Sequence, residues 1–128
     1  MCGIIGYVGK GNVPQLLLKG LQNLEYRGYD SAGMVIEHEK KLVLKKRKGK
    51  VDELKIAIQE LPEKNEGWGI CHTRWATHGE PSETNAHPHL STDGNIAVVH
   101  NGIIENYLSL KKFLKDNDKQ FQTETDSE

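Results

Sequence analysis

The chain has 128 residues, enough for one domain with a sizeable core. Its 17 basic and 18 acidic residues nearly cancel, so no overall field points to nucleic acid or an anionic membrane, and the longest apolar run is too short to span a bilayer. Two cysteines, Cys2 and Cys71, suit free thiols in a reducing cytosol better than a disulfide framework, and no basic leader precedes Ile4, so the expectation is one soluble cytoplasmic domain or a piece of one.

In chain order, Ile4 to Val8 reads as a short strand, and the glycines around it fit tight backbone packing rather than a phosphate-binding loop. Asn12 is a candidate N-cap for a helix with Leu17, Leu21 and Leu24 on one face, which Gly28 is expected to stop. Glu25 to Gly33 crowds polar and aromatic groups among glycines, as functional loops do. Met34 to Ile36 and Leu42 to Leu44 read as a strand pair, and the basic run Lys45 to Lys50 as a solvated edge. A second helix opens at Asp52, buries Leu54, Ile58 and Leu61, and ends at Pro62. Trp68 to His72 is a strand, and Thr73 to Asn85 a long loop. After a turn at Asp93-Gly94, Ile96 to Val99 has the composition of the strongest strand. A third helix from about Asn106 is expected to turn Tyr107, Leu110 and Leu114 inward. Phe121 to Thr123 resembles one more strand, and Thr125 to Glu128 has the spacing of a capping box that starts a helix. Helices alternate with strands joined by short turns, which predicts an α+β fold with antiparallel pairs.

Cys2 and three later stretches, Cys71 to Gly79, Asn85 to His89 and His100 to Gly102, carry groups suited to chemistry. Cys2 becomes the N-terminal residue once Met1 is removed, which puts a thiol and an α-amine on one Cα, and the amine can relay the thiol's proton. Arg74, beside Thr77 and His78 on a loop, suits a small carboxylate, because a guanidinium grips both oxygens. Asn101 and the backbone N–H of Gly102 suit a developing oxyanion. These are the parts that acyl transfer from cysteine requires. His72 and His100 read as hydrogen-bonded structural histidines. His78, His87 and His89 include zinc-type donors, but no cysteine pair of metal spacing accompanies them, and no metal is expected.

Cys2-Gly3-Ile4-Ile5-Gly6, Tyr26 to Gly33, His72 to Gly79, Asn85 to His89 and His100 to Asn106 together resemble the glutaminase domain of the glutamine–fructose-6-phosphate aminotransferases. That family belongs to the class II glutamine amidotransferases, which are N-terminal-nucleophile hydrolases with an αββα sandwich. The likeness runs over essentially the whole chain. It implies that Cys2 attacks the side-chain amide of glutamine with its own amine as base, and that Asn101 and Gly102 form the oxyanion hole. It further implies that Arg74 holds the α-carboxylate with Thr77 and His78 on the same loop, that Asp126 binds the α-ammonium, and that Trp75 and Gly79 belong to a loop covering glutamine. Arg27, Tyr29, Asp30 and His87 fall in the same motifs as secondary candidates.

The family has another small residue where Cys71 stands, and its glutaminase domain continues beyond Glu128. The expectation is therefore a sandwich cut on its C-terminal side and a poor glutaminase in isolation. The resemblance implies no cofactor. It implies that fructose 6-phosphate, the acceptor that becomes glucosamine 6-phosphate, binds only domains this chain lacks, and that the intact enzyme is a homo-oligomer. The competing readings are another class II amidotransferase, of the phosphoribosyl-diphosphate or asparagine-forming kind, and a non-catalytic glutamine-binding module.

Overall fold

Cys2 stands at the end of a strand whose neighbours fix the position of everything around it. The structure is a computed structural model that describes all residues except Lys64, Thr77 and His78. Among the described residues the elements run β1 (Gly3–Lys10), α1 (Val13–Leu24), β2 (Ser31–His38), β3 (Lys41–Lys48), α2 (Val51–Ala57), β4 (Glu66–Arg74), β5 (His89–Leu90), β6 (Ala97–Val98) and α3 (Tyr107–Asp116). Four strands form an antiparallel sheet in the order β1-β4-β2-β3, and β5 pairs with β6. The fold is α+β.

Alternation along each strand assigns two faces to the sheet. Met34 and Ile36 of β2 and Cys71 of β4 join Val13, Leu17 and Leu21 of α1 and Leu54 of α2 in one core, all fully buried. Each such large apolar side chain contributes about 1.5–3 kcal/mol relative to exposure. Gly69 lets α1 approach, since a Cβ there would lie 2.7 Å from Leu17 Cδ1. The intervening residues of β4, His72 and Arg74, point to the opposite face and are also buried. There the sheet meets the segment leading into β5: the rings of His72 and His87 stack with centroids 4.4 Å apart. Gly33 faces the same segment, and a Cβ on it would overlap the carbonyl oxygen of His87.

Most elements fall where the sequence puts them, with instructive exceptions. Asn12 caps α1, its side chain accepting from the Gln15 N–H at 3.3 Å. The helix ends at Leu24 and tightens into a 3-10 turn over Glu25–Arg27, which stops at its C-cap Gly28 as expected. Gly28 is extended, with φ −178°, and is needed because a Cβ would lie 2.8 Å from the backbone of Arg74. The segment Ile96 to Val99 is not the strongest strand. It pairs only over Ala97–Val98, with His89–Leu90, and Ile96 is exposed. Apolar composition supplies propensity, but a strand needs a ladder partner and a covered face. On α3, Leu110 and Leu114 are exposed rather than inward, as are Leu108 and Phe113.

Phe121 to Thr123 forms no strand. The Glu128 carboxylate takes the N–H groups of Gln122 and Thr123 at 2.8 and 2.7 Å, which replaces a sheet ladder. Thr125 to Glu128 is likewise not helical. Thr125 Oγ1 shares a hydrogen bond with His89 Nε2 at 2.9 Å instead. The basic run Lys45 to Lys48 does lie on an edge strand, β3. Cys2 and Cys71 are both free thiols. No helix among the described residues is long and apolar enough to cross a membrane.

Close packing at Gly33 should be costly to disturb. Gly33→Ala is expected to lower unfolding free energy by about 1–3 kcal/mol, the usual range for overpacking. Gly6→Ala, whose Cβ would meet only Ile70 Cγ2 at 3.8 Å, should cost far less. Urea denaturation of both variants checks this, and equal midpoints would contradict the packing.

Candidate active site

The antiparallel register pairs Gly3 of β1 with Thr73 of β4, which sets Cys2 beside the backbone as β4 gives way to its loop. The Trp75 N–H donates to the Cys2 sulfur at 3.1 Å, and the thiol reaches Trp75 O at 3.5 Å. The loop itself is pinned from β2's start: one Asp30 carboxylate oxygen accepts the Ala76 N–H, and the other accepts from Ser31 Oγ at 3.0 Å. The Tyr29 ring meets the Trp75 ring edge-on, with centroids 5.5 Å apart.

A cavity of about 530 Å³ opens beside the sulfur. Its lining includes Cys2, Arg27, Arg74, Trp75, His87, His100, Asn101, Gly102, Asp126 and Ser127. Arg74 is 4% exposed, and its two terminal nitrogens donate to the carbonyls of Glu80 and Gly79 at 3.3 and 3.1 Å. Arg27 brings a second guanidinium, whose Nε is buried without a hydrogen-bond partner. The Asp126 carboxylate accepts the Ile104 N–H at 2.7 Å and turns the chain after Asn101 back toward the cavity. Gly102 has φ +148°, a conformation that favours glycine. Asn101 Nδ2 donates to Cys2 O at 3.3 Å, and its Oδ1 lies 2.8 Å from His72 Nε2.

Asn85 holds the far wall together. Its side-chain N–H groups donate to Glu80 O at 3.0 Å and to the Glu124 carboxylate at 3.1 Å. Its oxygen accepts the Glu124 N–H at 2.9 Å. One buried amide thereby links the loop that grips Arg74 to the segment carrying Asp126. His72 and His89 flank His87, whose ring centroid is 4.4 Å from each of theirs. Burial pushes their pKa values down from the ordinary 6.5 to about 4 for His72, about 2 for His87 and about 4 for His89. Among the described residues no group of His, Cys, Asp or Glu is arranged to hold a metal ion.

Of the residues predicted from sequence, Cys2, Arg27, Arg74, Trp75, His87, Asn101, Gly102 and Asp126 converge on the cavity. Tyr29 and Asp30 act on the loop from outside it, and Gly79 through its carbonyl. Thr77 and His78 lie outside the described residues. Sequence reasoning missed His72, Asn85 and Ser127 as parts of the site. Spacing along β4 signals that His72 shares a face with Arg74, but nothing local reveals its partner Asn101.

The sequence profile of the glutamine amidotransferase domain family matches residues 62–128. The chain belongs to that family. It is 59% identical over 131 residues to the glutamine–fructose-6-phosphate aminotransferase (isomerizing) of Caldanaerobacter subterraneus, and 56% identical over 128 residues to that of Shewanella oneidensis. Both alignments cover all of this chain but 21% of the relative, so this amidotransferase chain spans about a fifth of the length of the curated proteins it matches. Among solved structures, glutamine phosphoribosylpyrophosphate amidotransferase from B. subtilis, complexed with ADP and GMP, superposes with a TM-score of 0.79 at 30% identity. That match covers 99% of this chain and 27% of the other. A structure described as the allosteric regulatory enzyme of purine biosynthesis gives 0.71 at 32% identity, covering 93% and 27%. These neighbours confirm the N-terminal-nucleophile amidotransferase fold.

The neutral histidines of this amidotransferase make its stability depend on pH. Between pH 6.5 and about 4 the unfolded chain takes up protons at His72 and His89 while the folded chain does not, and His87 extends the range to about 2. Stability therefore falls as pH falls below 6.5. The urea midpoint should be lower at pH 5 than at pH 7.5, and an unchanged midpoint would contradict the buried neutral rings.

Proposed function

We propose that this chain hydrolyses glutamine to glutamate and ammonia with Cys2 as the nucleophile. A single observation carries the reading: Cys2, Asn101 and Arg74 line one cavity of about 530 Å³, large enough for an amino acid. Met1 lies at the rim and is 75% exposed, open to removal. The α-amine then freed on Cys2 takes the thiol proton, and the sulfur adds to the side-chain carbonyl carbon of glutamine. Negative charge develops on the carbonyl oxygen, where Asn101 Nδ2 and the Gly102 N–H stabilise it. Collapse expels ammonia with the proton from the amine, and water hydrolyses the thioester to glutamate. Arg74 takes the α-carboxylate and Asp126 the α-ammonium, with Arg27 adding positive potential at the carboxylate end. Trp75 and Gly79 belong to the segment that covers glutamine, while Tyr29 and Asp30 hold its base.

In the whole protein, we infer that the ammonia passes to fructose 6-phosphate to give glucosamine 6-phosphate. Identities of 52–59% to the sugar aminotransferases support this acceptor, against 30–32% to the solved structures, one of them a phosphoribosylpyrophosphate amidotransferase. Residues 1–128 are the N-terminal part of the glutaminase domain in this reading, and the sugar binds elsewhere in a homo-oligomeric cytoplasmic enzyme.

Glutamate release from glutamine tests the proposal, with separate signatures for separate residues. Cys2→Ala should abolish release, as should a retained Met1. Arg74→Ala should weaken glutamine binding by about 1.5–3 kcal/mol, on the scale of a charge-assisted hydrogen bond, and Lys should restore it only in part. Asn101→Ala should instead lower kcat by ~10²–10³-fold. An unchanged KM in the Arg74 variant would refute that assignment. Glutamine bound without any glutamate formed would favour a non-catalytic module.

A further inference from the structure

We infer that His72 is a positioning residue for this reaction: its Nε2–H fixes the Asn101 amide so that Nδ2, and not Oδ1, is turned toward Cys2. The inference rests on the glutaminase reading above and names what makes its oxyanion hole work. An asparagine amide has a donor end and an acceptor end of nearly the same shape. Rotated by half a turn, Asn101 would present an oxygen lone pair to the developing oxyanion and repel it. Something must choose between the two orientations.

His72 is placed to make that choice. Its Nε2 lies 2.8 Å from Asn101 Oδ1, and because an amide oxygen carries no proton, the ring nitrogen must be the donor. The same amide then directs Nδ2 to Cys2 O at 3.3 Å, next to the sulfur. The ring cannot easily turn away. His72 is fully buried, its backbone is paired on both sides with Ile4 of β1 and Gly33 of β2, and His87 stacks on its face at 4.4 Å. Its Nδ1 is buried and makes no hydrogen bond, so the tautomer is set at the Asn101 end. Burial pushes the ring's pKa down to about 4, with the hydrogen bond to Asn101 and a further contact with the His100 backbone opposing only part of the effect. At neutral pH the ring carries one proton, and the geometry assigns it to Nε2. The opposite tautomer would accept from Nδ2 and leave the wrong end of the amide beside Cys2.

Two measurements test this. In the unaltered chain with 15N-labelled histidine, long-range 1H–15N correlation should find His72 protonated at Nε2 and bare at Nδ1, and the Nδ1–H tautomer would overturn the proposal. In kinetics, His72→Phe keeps a ring of similar bulk but donates nothing. Its kcat for glutamate release should fall about 10- to 100-fold, at or below the loss from deleting an oxyanion donor, with KM for glutamine nearly unchanged. The double variant should lose no more than Asn101→Ala alone, since the two residues act as one unit. Should His72→Phe not fold, His72→Gln, which restores a side-chain N–H, is compared with His72→Leu, and equal kcat values would overturn the inference. So would additive losses or a change confined to KM. Release that depends on Cys2 but is indifferent to His72 defeats this inference alone. Release that persists in Cys2→Ala defeats the glutaminase reading and leaves the tautomer result standing.

Discussion

The pairing of β1 with β4 is the constraint on which the site depends. With Gly3 opposite Thr73, the residue before the strand, Cys2, meets the residue after the partner strand, Trp75, at hydrogen-bond distance from sulfur to backbone N–H. A slip of one residue would reverse the faces of β1 and carry the sulfur away from Asn101. The register is specified twice over. Ile5 and Tyr7 pack toward the α1 side, and the absence of a Cβ at Gly3 admits the Leu24 side chain, which would otherwise lie 2.8 Å away. The Cys2 sulfur is thus placed by apolar packing on the far side of the sheet.

The near side is held by polar groups instead, and this divides the molecule into two regimes. Leu17, Leu21, Met34 and Leu54 tolerate exchange among shapes of equal volume, as cores do. Asn85, Thr125, His72 and His89 are buried and must each keep a named partner, because an unsatisfied buried polar group costs about 1–3 kcal/mol. That layer is therefore less forgiving, and it is the layer that positions Arg74 and Asn101. The three adjoining histidines avoid mutual repulsion by staying neutral, which costs nothing near pH 7 and becomes a burden in acid.

Much of the first regime was legible in the sequence. Helix periodicity around Leu17 and Leu21, the cap at Asn12 and the short strand-forming runs at Met34 to Ile36 and Trp68 to His72 are local signals, and they gave the α+β fold. Less legible was anything that depends on a distant partner. Ile96 to Val99 has strand composition but only Ala97–Val98 pairs, since pairing depends on what lies alongside. Thr125 to Glu128 has capping-box spacing, yet Glu128 satisfies N–H groups upstream and Thr125 bonds to His89. At the site, motif likeness picked out Cys2, Arg74, Asn101 and Asp126, which do share a cavity. It passed over His72 and Asn85, whose importance lies in contacts 29 and 39 residues away in sequence.

The central claim is that Cys2, freed at the N-terminus and aimed into the cavity, is the group that reacts with a glutamine-shaped molecule. Cys71 offers an internal control, because burial raises its thiol to about 12 and leaves it inert. The most direct measurement is peptide-resolved mass spectrometry of the whole chain after exposure to a glutamine analogue with a diazoketone in place of the side-chain amide. The account predicts one adduct, on Cys2, in chains lacking Met1, suppressed by excess glutamine. An adduct on Cys71, equal labelling of chains that retain Met1, or no protection by glutamine would contradict it.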